Sequence, residues 1–323
     1  MPGKKTIHIG RRKSLVTNLL VLEGISRSGK FLLANLINGL QDIEPVQGRI
    51  SLEQIAFLER FGLIEKKTAQ EMVKVLVDAY TYDGLIGRNL NFRRSDKSSI
   101  FNNPRFEELR KRTTTPDGDA ALYAYYRMHA YSFFILHELL PNIKLFFAAF
   151  PNMKVVSLRR NPVDLVYSLY KRGYGTKIKD SRFFTMVPMA TNRGIVPWYA
   201  ADWKKNFYSY APMDRVIKTV AALSGMYASS YKKLSAARRK QILFVSYEDI
   251  LSDPQRVVND VSAFLGKKSL SAMESILRRE RLPNKTKLGE KERRWEEIKE
   301  LASAACYKQL ADLERAYIET KPL

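Results

Sequence analysis

Between Ser14 and Asn38 the chain runs from an apolar stretch (Leu15, Val16, Leu19, Leu20, Val21, Leu22) through Gly24–Lys30 (GISRSGK) into a segment with Phe31, Leu32, Leu33, Leu36 and Ile37 on one helical face. The pattern predicts a buried strand, a glycine-bracketed turn and a helix. Helical spacing recurs over Ser51–Gly62 (Ile55, Leu58, Phe61) and Thr68–Tyr80 (Met72, Val75, Leu76, Ala79), with Ser51 and Thr68 as expected N-caps. From Tyr82 to Asp119 the periodicity dissolves among Gly, Asn, Arg, Ser and Pro, which reads as a long irregular region. A helix is then expected over Ala120–Ala130, a strand over Tyr131–Leu139, a short helix over Ile143–Phe150, a strand over Lys154–Arg160 (KVVSLRR), and a helix from Pro162 to about Arg172, opened by its proline. Gly173–Arg193 is basic and aperiodic and reads as a flap. Pro197–Tyr210 and Met213–Leu234 read as helices, Gln241–Ser246 as a strand, Pro254–Leu265 as a helix stopped by Gly266, and about Glu290–Glu319 as one long charged surface helix.

Apolar strands alternating with helices predict an α/β fold: a parallel β-sheet flanked by helices on both faces, a P-loop-containing three-layer architecture. No linker interrupts the chain, so residues 1–323 read as a single domain, with its core at about 15–270 and a C-terminal helical extension at about 288–320.

Composition narrows the partners. The net charge of +22, from 55 Lys+Arg against 33 Asp+Glu, favours an anionic ligand, an acidic polymer or peripheral contact with an anionic membrane; no specific nucleic-acid motif accompanies it. One cysteine, Cys306, excludes an internal disulfide and a multi-cysteine metal site and is expected to pack in the interior. The basic N-terminus (Lys4, Lys5, Arg11, Arg12, Lys13) precedes an apolar run that stops at Glu23 without a small-residue cleavage site, and His137, Glu138, Pro141, Asn142 and Lys144 break the run Phe133–Phe150. With neither a signal peptide nor a membrane span in view, a cytoplasmic location is expected.

Gly24 and Gly29 let the backbone turn tightly, and the helix that follows aims its unpaired N–H groups at the same spot, so the first loop reads as a phosphate cradle. Ser26 and Ser28 can donate hydroxyls, and Arg27 and Lys30 add mobile positive charge. The spacing fits Gly-x-x-x-x-Gly-Lys-[Ser/Thr] except at Phe31, which stands where a nucleotide triphosphatase needs a hydroxyl for magnesium. In a doubly wound sheet ligands bind beyond the C-terminal strand ends. That rule puts on one rim the cradle, His137 and Glu138, Arg159 and Arg160, and Tyr247, Glu248 and Asp249. An anion cradle, a base and an arginine pair converging there point to group transfer from a phosphorylated donor.

Three segments, in order, resemble the sulfotransferases that use 3′-phosphoadenosine 5′-phosphosulfate (PAPS). Ser26-Arg27-Ser28-Gly29-Lys30 is similar to that family's 5′-phosphosulfate loop, Lys154–Ser168 (KVVSLRRNPVDLVYS) to its 3′-phosphate motif, and Phe244–Gly266 to its Tyr-Glu-Asp-Leu, Asp-Pro, Phe-Leu-Gly segment. The resemblance implies Arg27 as the catalytic cation on the leaving 5′-phosphate, with Lys30 and Phe31 replacing two threonines, and Arg160 with Ser168 gripping the 3′-phosphate. It implies donor contacts from Gly24, Ser26, Arg27, Ser28, Gly29, Lys30, Phe31, Arg160 and Ser168, with Arg27, Lys30, His137 and Glu138 serving catalysis. A general base is implied among His137, Glu138 and His129; His8, in the basic tail, is set aside.

The expected reaction is sulfuryl transfer from PAPS to a hydroxyl or amine, leaving adenosine 3′,5′-bisphosphate, without metal. Two other readings are a P-loop small-molecule kinase and a non-catalytic binder of acidic polymers. Basic residues in the two unmatched segments (Arg88, Arg93, Arg94, Lys97; Arg172, Lys177, Lys179, Arg182) favour an acidic acceptor, and the flat faces of Tyr170, Tyr174, Trp198, Tyr199 and Trp203 a saccharide or polysaccharide one.

Overall fold

The computed structural model describes residues 10, 13–114, 118–176, 188–284, 286 and 289–320. Its centre is a five-stranded sheet built from β1 (Leu19–Glu23), β2 (Gln47–Gly48), β3 (Ser132–Ile135), β4 (Lys154–Arg159) and β7 (Ile242–Ser246), in the order β2-β3-β1-β4-β7. Every pairing is parallel, with Leu22 opposite both Ile135 of β3 and Val156 of β4, and Val156 opposite Leu243 of β7. β1, carrying the loop, is therefore central.

Alternation along β1 divides the interior into two layers. Leu20 and Leu22 face one cluster with Leu33, Leu36 and Ile37 of the helix Lys30–Ile37 and with Val257 and Val261 of the helix Pro254–Leu265. Leu19 and Val21 face the other, with Ile55 of the helix Ile50–Arg60, Val73 and Val77 of the helix Lys66–Leu85, and Phe146 of the helix Ile143–Ala149. Each fully buried aliphatic side chain contributes about 1.5–3 kcal/mol. A strand buried on both faces reads as a continuous apolar run because both faces need such side chains.

Several boundaries depart from the periodicity. β1 begins at Leu19 rather than near Leu15, because Asp78 ties down the lead-in: it accepts from Ser14 Oγ (2.5 Å), the Leu15 amide (2.9 Å) and the Val16 amide (3.0 Å). Ser51 and Thr68 are not caps; their helices start earlier, at Ile50 and Lys66, and Ser51 Oγ instead bonds Tyr80 OH at 2.8 Å. The irregular region holds the end of Lys66–Leu85, a short helix Phe106–Lys111 and single 3₁₀ turns. Within the flap, β5 (Pro188–Thr191) and β6 (Gly194–Pro197) form an antiparallel hairpin; Lys177, Lys179 and Arg182 lie outside the described residues, as do His8, Lys4, Lys5, Arg11 and Arg12.

The expected last surface helix is two helices, Lys291–Leu301 and Ala304–Glu319, broken where Ser303 caps the second by accepting from the Cys306 amide. They are not peripheral. Ile298, Cys306 and Leu310 are buried in a third cluster with Val163, Leu165 and Val166 of the helix Pro162–Lys171 and Val216 and Val220 of the helix Pro212–Lys232. The charge density hid this face, since the apolar positions that pack are few and widely spaced. Cys306 packs as expected.

Candidate active site

The loop after β1 owes its shape to two glycines. At Gly24 (φ +151°) an added Cβ would lie 2.5 Å from the Leu158 carbonyl oxygen, and at Gly29 (φ +102°) 2.6 Å from the Tyr247 ring. Arg27 itself adopts φ +71°, a conformation that costs a non-glycine residue about 1–3 kcal/mol. The Ser28 amide closes the turn on the Ile25 carbonyl at 3.1 Å. The helix Lys30–Ile37 then starts with no side-chain cap and no acid in its first turn, so its positive end is left for an anion.

Two loop groups have been spent on structure. The Ser26 amide donates to Glu138 Oε1 at 2.8 Å. Lys30, read from the sequence as a mobile cation, is 5 % exposed and donates from Nζ to the carbonyls of Gly24 (2.7 Å) and Ile25 (3.2 Å). Burial pushes its pKa down, while Glu138, Glu23 and Glu53 pull it back up. Lys30 thus staples the loop from inside, and Phe31, 39 % exposed, offers no hydroxyl beside it.

Arg160 and Ser168 meet the loop through Arg27. Arg160 Nη1 donates to the Arg27 carbonyl at 2.8 Å, and Arg27 Nε donates to Ser168 Oγ at 3.3 Å. The Arg160 guanidinium lies 4.5 Å from the Tyr247 ring centroid, on the residue that also packs against Gly29. Burial lowers its pKa from the ordinary arginine value. Arg160 Nε and Ser28 Oγ are buried and have no hydrogen-bond partner among the described residues. Two orphaned donors beside an uncapped helix end fit an anion carrying several oxygens.

A second layer holds Arg160. Asn161 caps the next helix by accepting from the Val163 amide (2.9 Å), its own amide donates to Glu248 Oε1 (2.9 Å), and its Nδ2 donates to Glu314 Oε1 (2.9 Å). Tyr317 OH donates to Glu248 Oε2 at 2.7 Å. Each Glu248 oxygen thereby accepts a hydrogen bond, and Asp249 is paired with Arg256 at 2.7 Å.

The three candidate bases fall in different places. His129 precedes β3, at the opposite end of the strands from the loop, so it is out of reach. Glu138 (φ +49°) is 1 % exposed; burial raises its pKa, against His137 and Lys30, and with the Ser26 amide it serves the loop. His137 is about one-third exposed, and both its amide (2.7 Å) and its Nδ1 (3.0 Å) meet Glu53 Oε1. Donation of Nδ1–H to that carboxylate leaves Nε2 with the lone pair of a base.

Glu53 and Glu23 escaped the sequence reading. Glu53 sits in the first turn of its helix, where an acid reads as a solvated dipole partner; the available signal was that it shares a helical face with Ala56 and Phe57. Glu23 ends β1 fully buried, accepting from Ser157 Oγ, Tyr227 OH (2.8 Å) and the Leu140 amide (3.4 Å). Burial raises its pKa despite those bonds. An acid closing an apolar strand directly before Gly24 was its signal.

Of the aromatics, Trp198 (1 % exposed) and Tyr199 (3 %) belong to the core, and Trp203 packs on Phe207, so none presents a stacking face. Tyr174 is half-buried beside the loop, bonded to Ser26. Arg88 and Arg93 pair with Asp83 and Asp96, and Arg94 lies over the Phe101 ring.

A parallel sheet whose central strand empties into a cation-flanked anion loop, with a carboxylate-held histidine at the next strand end, is an arrangement suited to group transfer. Residues 137–292, just under half of the chain, match the sulfotransferase domain family. Among solved structures it is similar to the sulfotransferase domain of the Synechococcus PCC 7002 olefin synthase (13 % identity, 98 % of this chain and 100 % of that one, TM-score 0.44). It is also similar to a sulfotransferase from Alicyclobacillus acidocaldarius (17 %, 77 % and 81 %, 0.35) and a mouse sulfotransferase solved with PAP (15 %, 82 % and 65 %, 0.35). No curated protein matches the chain. Among the described residues no cluster of three His, Cys, Asp or Glu could hold a metal ion, and no helix is long and apolar enough to cross a membrane.

Proposed function

We propose that the protein transfers the sulfuryl group of PAPS to a hydroxyl acceptor by in-line displacement without a metal. The observation that carries this reading is the junction of Arg27, Arg160 and Ser168 at the loop, with orphaned donors on Ser28 and Arg160. The donor supplies an activated sulfur–oxygen bond. The loop and the helix end hold its 5′-phosphate, and Arg160 and Ser168 hold its 3′-phosphate. The acceptor oxygen attacks sulfur, its proton passes to His137 Nε2, and the sulfur–oxygen bond to the 5′-phosphate breaks as Arg27 neutralises the departing charge. Glu53 fixes the tautomer and stabilises the imidazolium that forms, as a carboxylate does for a catalytic histidine elsewhere. Glu138 and Lys30 hold the loop and touch neither reactant.

The net charge of +22 supports an acidic acceptor, and a saccharide hydroxyl is proposed on that ground alone, since Trp198 and Tyr199 are buried. The kinase reading loses its acids: Glu248 and Asp249 are occupied by Asn161, Tyr317 and Arg256. Turnover of labelled PAPS by purified protein in EDTA tests the proposal; a strict magnesium requirement overturns it. Stabilisation by adenosine 3′,5′-bisphosphate and not by ATP with magnesium is the expected thermal shift. Absence of any donor-product binding would instead support the polymer-binding reading.

A further inference from the structure

A cavity of about 580 Å³ lies between the ends of β4 and β7, the helix Pro212–Lys232 and the helix Ala304–Glu319. That is the size of a small-molecule site. Exposed lining residues Lys232, Ala228, Ala316 and Thr320 mark a mouth, and Gly225 on the same wall is also exposed; the buried Val220, Leu165 and Leu158 mark an inner end that reaches the back of the loop at Ile25 and Ser28. The walls are mostly apolar, and no Asp or Glu lines them.

Arg159 stands between mouth and interior. It is half-buried, its guanidinium about equally distant from the Phe244 (5.6 Å) and Tyr317 (5.7 Å) ring centroids, and it makes no hydrogen bond or ion pair among the described residues. Its neighbour Arg160 turns instead to the Arg27 carbonyl and Tyr247. A half-buried guanidinium whose five donors meet no acceptor among the described residues is placed to pair with an anion entering the cavity. Lys232 adds a second cation at the mouth whose side chain is likewise without a partner among the described residues.

We propose that this cavity binds an amphiphilic monocarboxylate, a fatty-acid-like molecule whose head group pairs with Arg159 and Lys232 at the mouth while its alkyl chain runs inward along Val220 and Leu165. The head-group contacts use none of Arg27, Arg160, Ser168 or His137, although Arg160 and Ser28 of the proposed donor site also line the cavity.

Calorimetry on the full chain with sodium dodecanoate below its micellar concentration tests it, with dodecanol and dodecyltrimethylammonium as probes of the same chain length. Saturable binding at one site is expected, at least tenfold tighter for the carboxylate than for either other probe. Arg159→Met should weaken dodecanoate at least tenfold, and Ala228→Trp, at the exposed mouth, should block it; a melting temperature close to that of the unaltered protein shows that each variant is folded. No binding by the unaltered protein, equal binding of dodecanol, or undiminished binding by folded Arg159→Met overturns the proposal.

Discussion

Arg160 illustrates how far a single residue could be read. Its place at a strand end before Asn-Pro marked it as an anion ligand, and its contacts with Arg27 and Tyr247 are compatible with that role. Charge-assisted hydrogen bonds contribute about 1.5–3 kcal/mol. Arg160→Ala should therefore weaken adenosine 3′,5′-bisphosphate about 10- to 150-fold by calorimetry, and Arg160→Lys should recover only part, lacking the planar fork. What sequence could not supply was the partner of His137, because Glu53 is 84 residues away and reaches the histidine only once two helices and a strand have packed. His137→Ala should lower kcat about 100-fold or more. Glu53→Gln should lower kcat at least tenfold with little change in KM, and the double variant should be no worse than His137→Ala, since the two act as a unit.

At the scale of elements, strands and helices with buried faces were legible because apolar periodicity is imposed by packing, and the loop was legible because Gly24 and Gly29 sit where a Cβ would collide with neighbouring atoms. The direction of Lys30 was not: a lysine at that spacing reads as a free cation, and only the closure of the loop around it shows two carbonyls waiting. Gly29→Ala should be among the most damaging small changes, since the new methyl meets the Tyr247 ring in a backbone region already strained for alanine. A lower melting temperature together with loss of donor-product binding is expected. Asn161→Ala removes a cap and should cost about 0.5–2 kcal/mol in denaturant unfolding.

For the whole molecule, buried carboxylates shape the response to pH. Burial holds the Glu23 pKa above its ordinary value of 4.5, so the folded state binds that proton more tightly than the unfolded state. Its contribution is complete below about pH 4.5 and is lost as pH rises through the raised value. Glu23→Gln, which carries no such proton, should gain in melting temperature relative to the unaltered protein between pH 5 and pH 8; a constant difference across that range would show that Glu23 does not titrate on folding. The sheet and its two layers were foreseen in outline, whereas the last two helices were misjudged as surface because a charged sequence conceals three buried apolar side chains, Ile298, Cys306 and Leu310.

Those helices also set a clock. Asn161, beside Arg160, is held by Glu314, 153 residues later in synthesis, and Glu248 is held by Tyr317. A ribosome adding about 5–20 residues per second exposes the cradle and the arginine strand many seconds before their braces emerge. The nascent chain therefore carries an anion-seeking surface without the geometry to use it, and the competence of the site waits until the helix that bears Glu314 and Tyr317 has been made.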